Sequence, residues 1–266
     1  MYSKEHMEFL KKVKNRKILI RVTQILILIC ILTLWEIAAK FKLIDTFLTS
    51  YPSEIFTLFV KMIKSGALFN HVLISTTEVV IGFTLGTILG TLVAIILWWS
   101  DFLSKVLDPY LVVLNALPKT ALAPIIIIWV GAGISGIIVT AMIVSIIVTI
   151  LGVYGGFKEV SNDKIRMLQT FGANKFQVLQ KVVIPSSVPA IINALKINVG
   201  LSWVGVIVGE FIVSQAGIGY LIVYGSQVFK LDLVMMSVFI LAILAALMYQ
   251  FVAYIEKKLI KNNRWL

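Results

Sequence analysis

Apolar residues along this chain gather in long runs separated by short polar stretches, a pattern to be measured against a bilayer. About 20 helical residues cross roughly 30 Å of hydrocarbon, and a helix is the form in which a single segment pairs its own amides there. Measured this way, the sequence predicts six spans, at residues 18–39, 72–99, 111–130, 134–154, 190–213 and 233–255. Residues 120–157 hold no charge over 38 positions, too many for one span, and Gly131-Ala132-Gly133 is the natural turn that divides them. Pro118, Lys119 and Pro124 interrupt the third span and predict a short, kinked or broken helix.

Two connections carry a pattern of their own. In residues 40–71, Ile55, Leu58, Phe59 and Met62 recur at helical spacing after Tyr51-Pro52-Ser53-Glu54, which predicts an amphipathic helix at the membrane interface with Ser53 as its cap. In residues 155–189, Val178, Leu179, Val182 and Val183 predict a short helix ending at Ile184-Pro185. A loose polar linker has no need of that pattern, so the segment is expected to pack on the bundle or on a partner protein.

Composition fits the same picture. Of 266 residues, 59% are hydrophobic and 14% charged, against roughly 25% charged in soluble domains, which excludes an ordinary soluble enzyme and a disordered chain. The formal net charge of +11 would suit nucleic acid, but its placement argues for orientation in a membrane instead. Seventeen Lys and Arg fall in residues 1–21, 100–109, 155–189 and 256–266, against five in the opposite segments. This places both termini inside, N-in and C-in. The chain then divides into a cytoplasmic basic tail (1–17), a first span (18–39), an external connection (40–71), a core (72–255) containing the cytoplasmic loop 155–189, and a basic tail (256–266). The first run lacks a small-residue cleavage pattern and continues into Lys40-Phe41, as a permanent span does.

Chemistry-bearing residues are few. His6, His71 and Cys30 are too few for a zinc site or a disulfide, and Cys30, inside an apolar run, is expected to serve packing. Within the spans, Glu210 is expected either to position helices or function, or to be a buried, paired carboxylate. Glu78 is expected to be structural, and Glu36 either to snorkel at the interface or to pair with Lys40, four residues on. Gly82, Gly86 and Gly90, with Gly200, Gly205 and Gly209, permit close helix approach and also suit helices that slide. There is no nucleophile constellation, no metal-ligand spacing and no G-x-x-x-x-G-K-[ST] loop, so no catalytic residue, metal or cofactor is assigned to this chain and any energy source is external. A channel filter is also missing, while a secondary transporter and a structural or sensory membrane protein stay open as alternatives.

The loop RMLQTFGANKFQVLQKVVIP resembles the hallmark E-A-A-x(3)-G-x(9)-[IV]-x-[LI]-P of the permeases of binding-protein-dependent ABC importers: Gly172, Val182, Ile184 and Pro185 fall at the matching positions. Arg166-Met167-Leu168 replace the acidic-Ala-Ala triplet. YPSEIFTLFVKMIKSGALFNH, LPKTALAPIIIIWVGAG, IPSSVPAIINALKINVGLSW and GEFIVSQAGIGYLI extend the likeness over about residues 49–254, toward the nitrate, sulfonate and taurine branch with its thiamine-precursor and riboflavin relatives. Glu78 departs from that branch, which often has a basic residue there. The resemblance implies an all-α, six-span, type I permease of the cell membrane that works as a homodimer in lipid. It also implies two cytoplasmic ATPase subunits that use ATP and Mg, an external solute-binding protein, and alternating access. A coupling helix at about 173–179 would enter a cleft of the ATPase, with Gly172, Ala173, Asn174, Phe176, Leu179 and Pro185 as its coupling residues. Lys119 and Glu210 lie in family-like stretches and, with Glu78, are assigned to the pathway or to helix positioning.

Overall fold

The computed structural model describes residues 4–262; residues 1–3 and 263–266, the ends of both predicted tails, lie outside the described residues. The helix α1 (Lys4–Lys40) joins the N-terminal basic segment and the first apolar run without a break at residue 17. A single turn, α2 (Thr46–Thr49), leads to α3 (Pro52–Lys64), the predicted amphipathic helix. Ser53 does not cap it. Pro52 occupies the first turn, where a missing N–H is harmless, and Ser53 gives its N–H and Oγ to Glu36 of α1 at 3.0 and 2.9 Å. Glu36 also meets Lys40 at 3.3 Å, as expected. The carboxylate therefore ties α3 to α1, a tertiary role that competes with the local cap.

The chain then forms α4 (Ala67–Trp99) and α5 (Asp101–Ala116), capped by Ser100. Leu117 precedes Pro118 and is extended, as prolyl sterics demand, and a 3-10 turn (Lys119–Leu122) opens α6 (Ala123–Val130). The two halves meet at 90°, so the predicted third span is a broken pair. After Gly131–Gly133 come α7 (Ile134–Lys158), α8 (Asn162–Thr170) and the four-residue α9 (Lys175–Val178). The helix expected to end at Ile184-Pro185 instead continues. Pro185 has no N–H, and the chain widens into a π turn over Leu179–Val183, with Ile184 donating to the Leu179 carbonyl five residues back. Pro185 then sits in the first turn of α10 (Ile184–Val213), followed by α11 (Ile218–Gln227) and α12 (Leu231–Asn262).

Among the described residues five helices are long and apolar enough to cross a membrane: Phe9–Lys40, Ala67–Trp99, Ile134–Lys158, Lys175–Val213 and Leu231–Lys258. The bent pair makes a sixth if counted as one span. At the centre stands α7, packed along α4 on one side and α10 on the other. Small residues set both seams. A Cβ on Gly82 would come within 2.8 Å of the Ala141 Cβ, and Gly90 faces Thr149; across the other seam Gly152 meets Ala194, and Gly205 lies against the Ala141 backbone. These contacts fit the packing reading of the glycines, with Gly200 the exception, since it borders open space. Outside this core, α1 is largely uncovered, and Cys30 is exposed on it. The packing expected of Cys30 is absent because no described helix covers that part of α1.

Candidate functional site

Polar and exposed features concentrate at the two ends of α7, about 36 Å apart by helical rise. At its C-terminal end lies the segment 161–185. Ser161 accepts the Asp163 N–H and starts α8. The helix ends in a Schellman turn: Ala173 N–H reaches the Leu168 carbonyl at 3.1 Å and Gly172 N–H that of Gln169 at 2.9 Å, with Gly172 at φ +80°. A side chain there would incur the left-handed strain, roughly 1–2 kcal/mol. Two residues on, Asn174 and Gln177 form a capping box, each side-chain oxygen accepting the other's N–H at 2.9 Å.

The capped turn is docked firmly. Val178, Leu179 and Val183 are buried against Ala94 of α4 and Val153 and Phe157 of α7. Lys175 Nζ donates to the Trp99 carbonyl at 2.6 Å, at the carbonyl end of α4, and lies over the Trp98 and Trp99 rings. Ser187 Oγ adds a 2.9 Å bond to the Gly156 carbonyl. What remains outward is Phe171, 82% exposed, and Phe176, 59% exposed. Of the predicted coupling residues, Asn174 and Phe176 face outward and Ala173 is half-buried, while Leu179 is an internal anchor and Pro185 lies within the continuous helix. The clamp by Lys175 went unpredicted, since its partners are 76 residues away.

Beside α7 on this side, a cavity of about 600 Å³ is lined by Asn115, Gly152, Gly155, Glu159 and Asn193, among others. Lys119 Nζ donates to the Asn115 carbonyl and Oδ1 at 3.0 and 3.4 Å, which ties the broken pair of helices to this cavity. Lys119 thus belongs to a different region from Glu78 and Glu210.

At the opposite end of α7, the three amides that open α11 find no acceptors within their own helix. Each takes a side chain from a neighbour: Gly217 N–H donates to His71 Nδ1 at 3.0 Å, Ile218 N–H to Ser75 Oγ at 2.7 Å, and Gly219 N–H to Glu210 Oε2. Ser75 Oγ in turn donates to Glu210 Oε1 at 2.5 Å. Glu210 therefore lies at the amino end of α11 with both oxygens satisfied, and Gly217 and Gly219 leave the room its carboxyl needs. Glu78 is the reverse case. It is 2% exposed and lies against the Glu210 carboxyl, and among the described residues no amide or hydroxyl donor reaches either of its oxygens. It lines a second cavity, of about 370 Å³, with residues of the 132–134 and 213–216 turns. His71, Ser75 and Glu78 recur at i, i+4 and i+7, one polar stripe on an apolar helix, a spacing that would have signalled this cluster but went unread in the sequence.

Among known proteins, residues 82–261 match the family described as binding-protein-dependent transport system inner membrane component. A putative aliphatic sulfonates transport permease protein, SsuC, of Bacillus subtilis is 26% identical over 97% of this chain and 94% of its own length. A formylaminopyrimidine transport permease protein, ThiX, of Halalkalibacterium halodurans is 29% identical over 73% of this chain and 77% of its own. Among solved structures, an inward-facing MetNI methionine ABC transporter aligns with a TM-score of 0.65 at 19% identity, covering 73% of this chain and 96% of that one. That likeness concerns the fold.

Proposed function

We propose that this chain, which belongs to the family of binding-protein-dependent transport system inner membrane components, is the permease subunit of an ATP-driven importer of a small organic or anionic solute. Its relatives' names divide among sulfonate, taurine, riboflavin and formylaminopyrimidine transport, and no single branch dominates, so the solute is proposed only at the level of that class. The permease works as a pair of identical copies in the cell membrane, with both termini and the segment 161–185 on the cytoplasmic side. A solute-binding protein delivers solute from outside, and two ATPase subunits, using ATP and Mg, sit below.

The observation that carries this reading is the docked, doubly capped turn at 172–178 with Phe171 and Phe176 directed outward. Exposed aromatics on a rigid projection suit insertion into a protein cleft. Because Val178, Leu179 and Val183 anchor the projection, and because it continues through the π turn into α10, a push on Phe176 moves α10 rather than being absorbed by a linker. ATP-driven closure of the ATPases would tilt α10 against α7 and open the path outward; hydrolysis would reverse it.

The test is reconstitution with the cognate ATPase and binding protein. Gly172→Val is expected to leave the permease folded, by circular dichroism and size exclusion, and to abolish uptake and the stimulation of ATP hydrolysis by loaded binding protein. Retention of both removes the coupling assignment. Solute movement by the chain alone in liposomes, without ATP, would favour a secondary transporter instead.

A further inference from the structure

We infer that the 370 Å³ cavity beside Glu78 is a binding site for a monocation, either the ammonium group of a small organic molecule or an alkali-metal ion. Glu78 and Glu210 are adjacent, both buried, and on different helices. Two carboxylates in such surroundings are not both ionised unless a positive charge offsets them. Glu210 has the partners of an ionised group: the Ser75 hydroxyl, the Gly219 amide and the amino end of α11. Glu78 has no donor on either oxygen. No Lys or Arg lines its cavity. An isolated buried carboxylate costs several kcal/mol, and the partner within reach of Glu78 is the Glu210 carboxyl, which relieves that cost only by sharing a proton.

A proton shared between the two carboxyls would require no space around Glu78. The structure nevertheless provides a cavity there, formed by the turn between α6 and α7, the turn after α10, and the faces of Ile74 and Ile137. The carbonyl end of α10 and the amino end of α7 both border it, and their opposite partial charges offset one another. An ionised Glu78 would be left uncompensated by either end. The remaining lining is Ser214, Gln215 and small or aliphatic residues, suited to the methylene groups of an alkylammonium or to oxygen ligation of a metal ion. Ser214 Oγ is engaged with the Ala216 carbonyl and is not a free donor toward Glu78. The site lies at the end of α7 away from the coupling segment and does not depend on the transport reading.

The test uses the purified full-length protein in lipid nanodiscs. Thermal unfolding is followed while methylammonium, ethylammonium, sodium or potassium chloride is titrated at constant ionic strength, with N-methylglucamine chloride as the balancing salt. The expected result is a saturable rise in Tm with either the small ammonium ions or an alkali ion, and the responding arm identifies the ligand class. Glu78→Gln is expected to abolish the rise. Ala132→Trp, which fills part of the cavity without altering the carboxyl, is expected to weaken apparent affinity at least tenfold, which keeps the test valid should the Gln variant fold poorly. Absence of a saturable shift with every cation, or an equal shift in both variants, overturns the proposal. So does an infrared band of protonated carboxyl, lost in Glu78→Gln, that persists in wild type at saturating cation.

Discussion

Ser75 Oγ stands 2.5 Å from Glu210 Oε1 and donates to it, while accepting the Ile218 N–H at 2.7 Å. One hydroxyl thus joins α4, α10 and α11. Its removal leaves a buried amide and a buried carboxylate each short of a partner, and a lost partner of this kind costs about 1–3 kcal/mol. Ser75→Ala is expected to destabilise by that order in unfolding titrations of the purified protein. Glu210→Gln, which keeps an acceptor for Gly219, is expected to cost less than Glu210→Ala; equal losses would show that the Gly219 bond contributes nothing.

Gly205 and Gly200 lie on the same helix but meet different surroundings. A Cβ at Gly205 would stand 2.5 Å from the Ala141 Cα, so it fits only if α7 and α10 separate, whereas one at Gly200 meets nothing within 4 Å. Gly205→Ala should destabilise by about 1–3 kcal/mol through overpacking. Gly200→Ala should stabilise by about 0.5–1 kcal/mol, because alanine loses less backbone freedom in a helix. Opposite signs in thermal unfolding are the expected outcome, and a stabilising Gly205→Ala would mean that the seam is loose.

Lys175 fastens the projecting turn to the end of α4. Lys175→Met keeps an apolar stem over Trp98 and Trp99 and removes the bond to the Trp99 carbonyl, a loss of about 1 kcal/mol. Amide exchange over residues 173–178 is expected to quicken roughly fivefold, with α10 unaffected beyond the π turn. Unchanged exchange would mean that burial of Val178 and Leu179 alone holds the segment.

The capping box predicts coupled, non-additive effects. Asn174→Ala is expected to cost about 0.5–2 kcal/mol of local stability, measured by hydrogen exchange. Gln177→Ala, made in the Asn174→Ala background, should cost less than in wild type, because its reciprocal partner is already gone. Strict additivity would show that the two bonds act independently.

Much of this organisation was legible along the chain. Length and apolarity marked the helices, and the spacing from Gly172 to Pro185 marked the ordered loop. The α3 helix was visible in Ile55, Leu58, Phe59 and Met62, but not the partner of Ser53. A hydroxyl at that position suits a cap, and only the approach of Glu36 from another helix redirected it. Pro185 was misread for a related reason. A proline forbids one hydrogen bond, and sequence does not say whether the chain stops there or takes the extra residue of a π turn.

The sequence alone determined what depends on neighbours in the chain: helical runs matched to a bilayer, the uneven distribution of Lys and Arg, the glycine that turns left-handed, and membership of a transport family. The tertiary structure decided which polar groups are satisfied. Glu78 and Glu210 have the same side chain in similarly apolar helices, and nothing local distinguishes them. The difference arises because the amino end of α11 and Ser75 reach Glu210, while Glu78 is turned toward a cavity. Hydrogen bonding of a buried carboxyl is set by what other helices bring within 3 Å, which the order of residues does not contain.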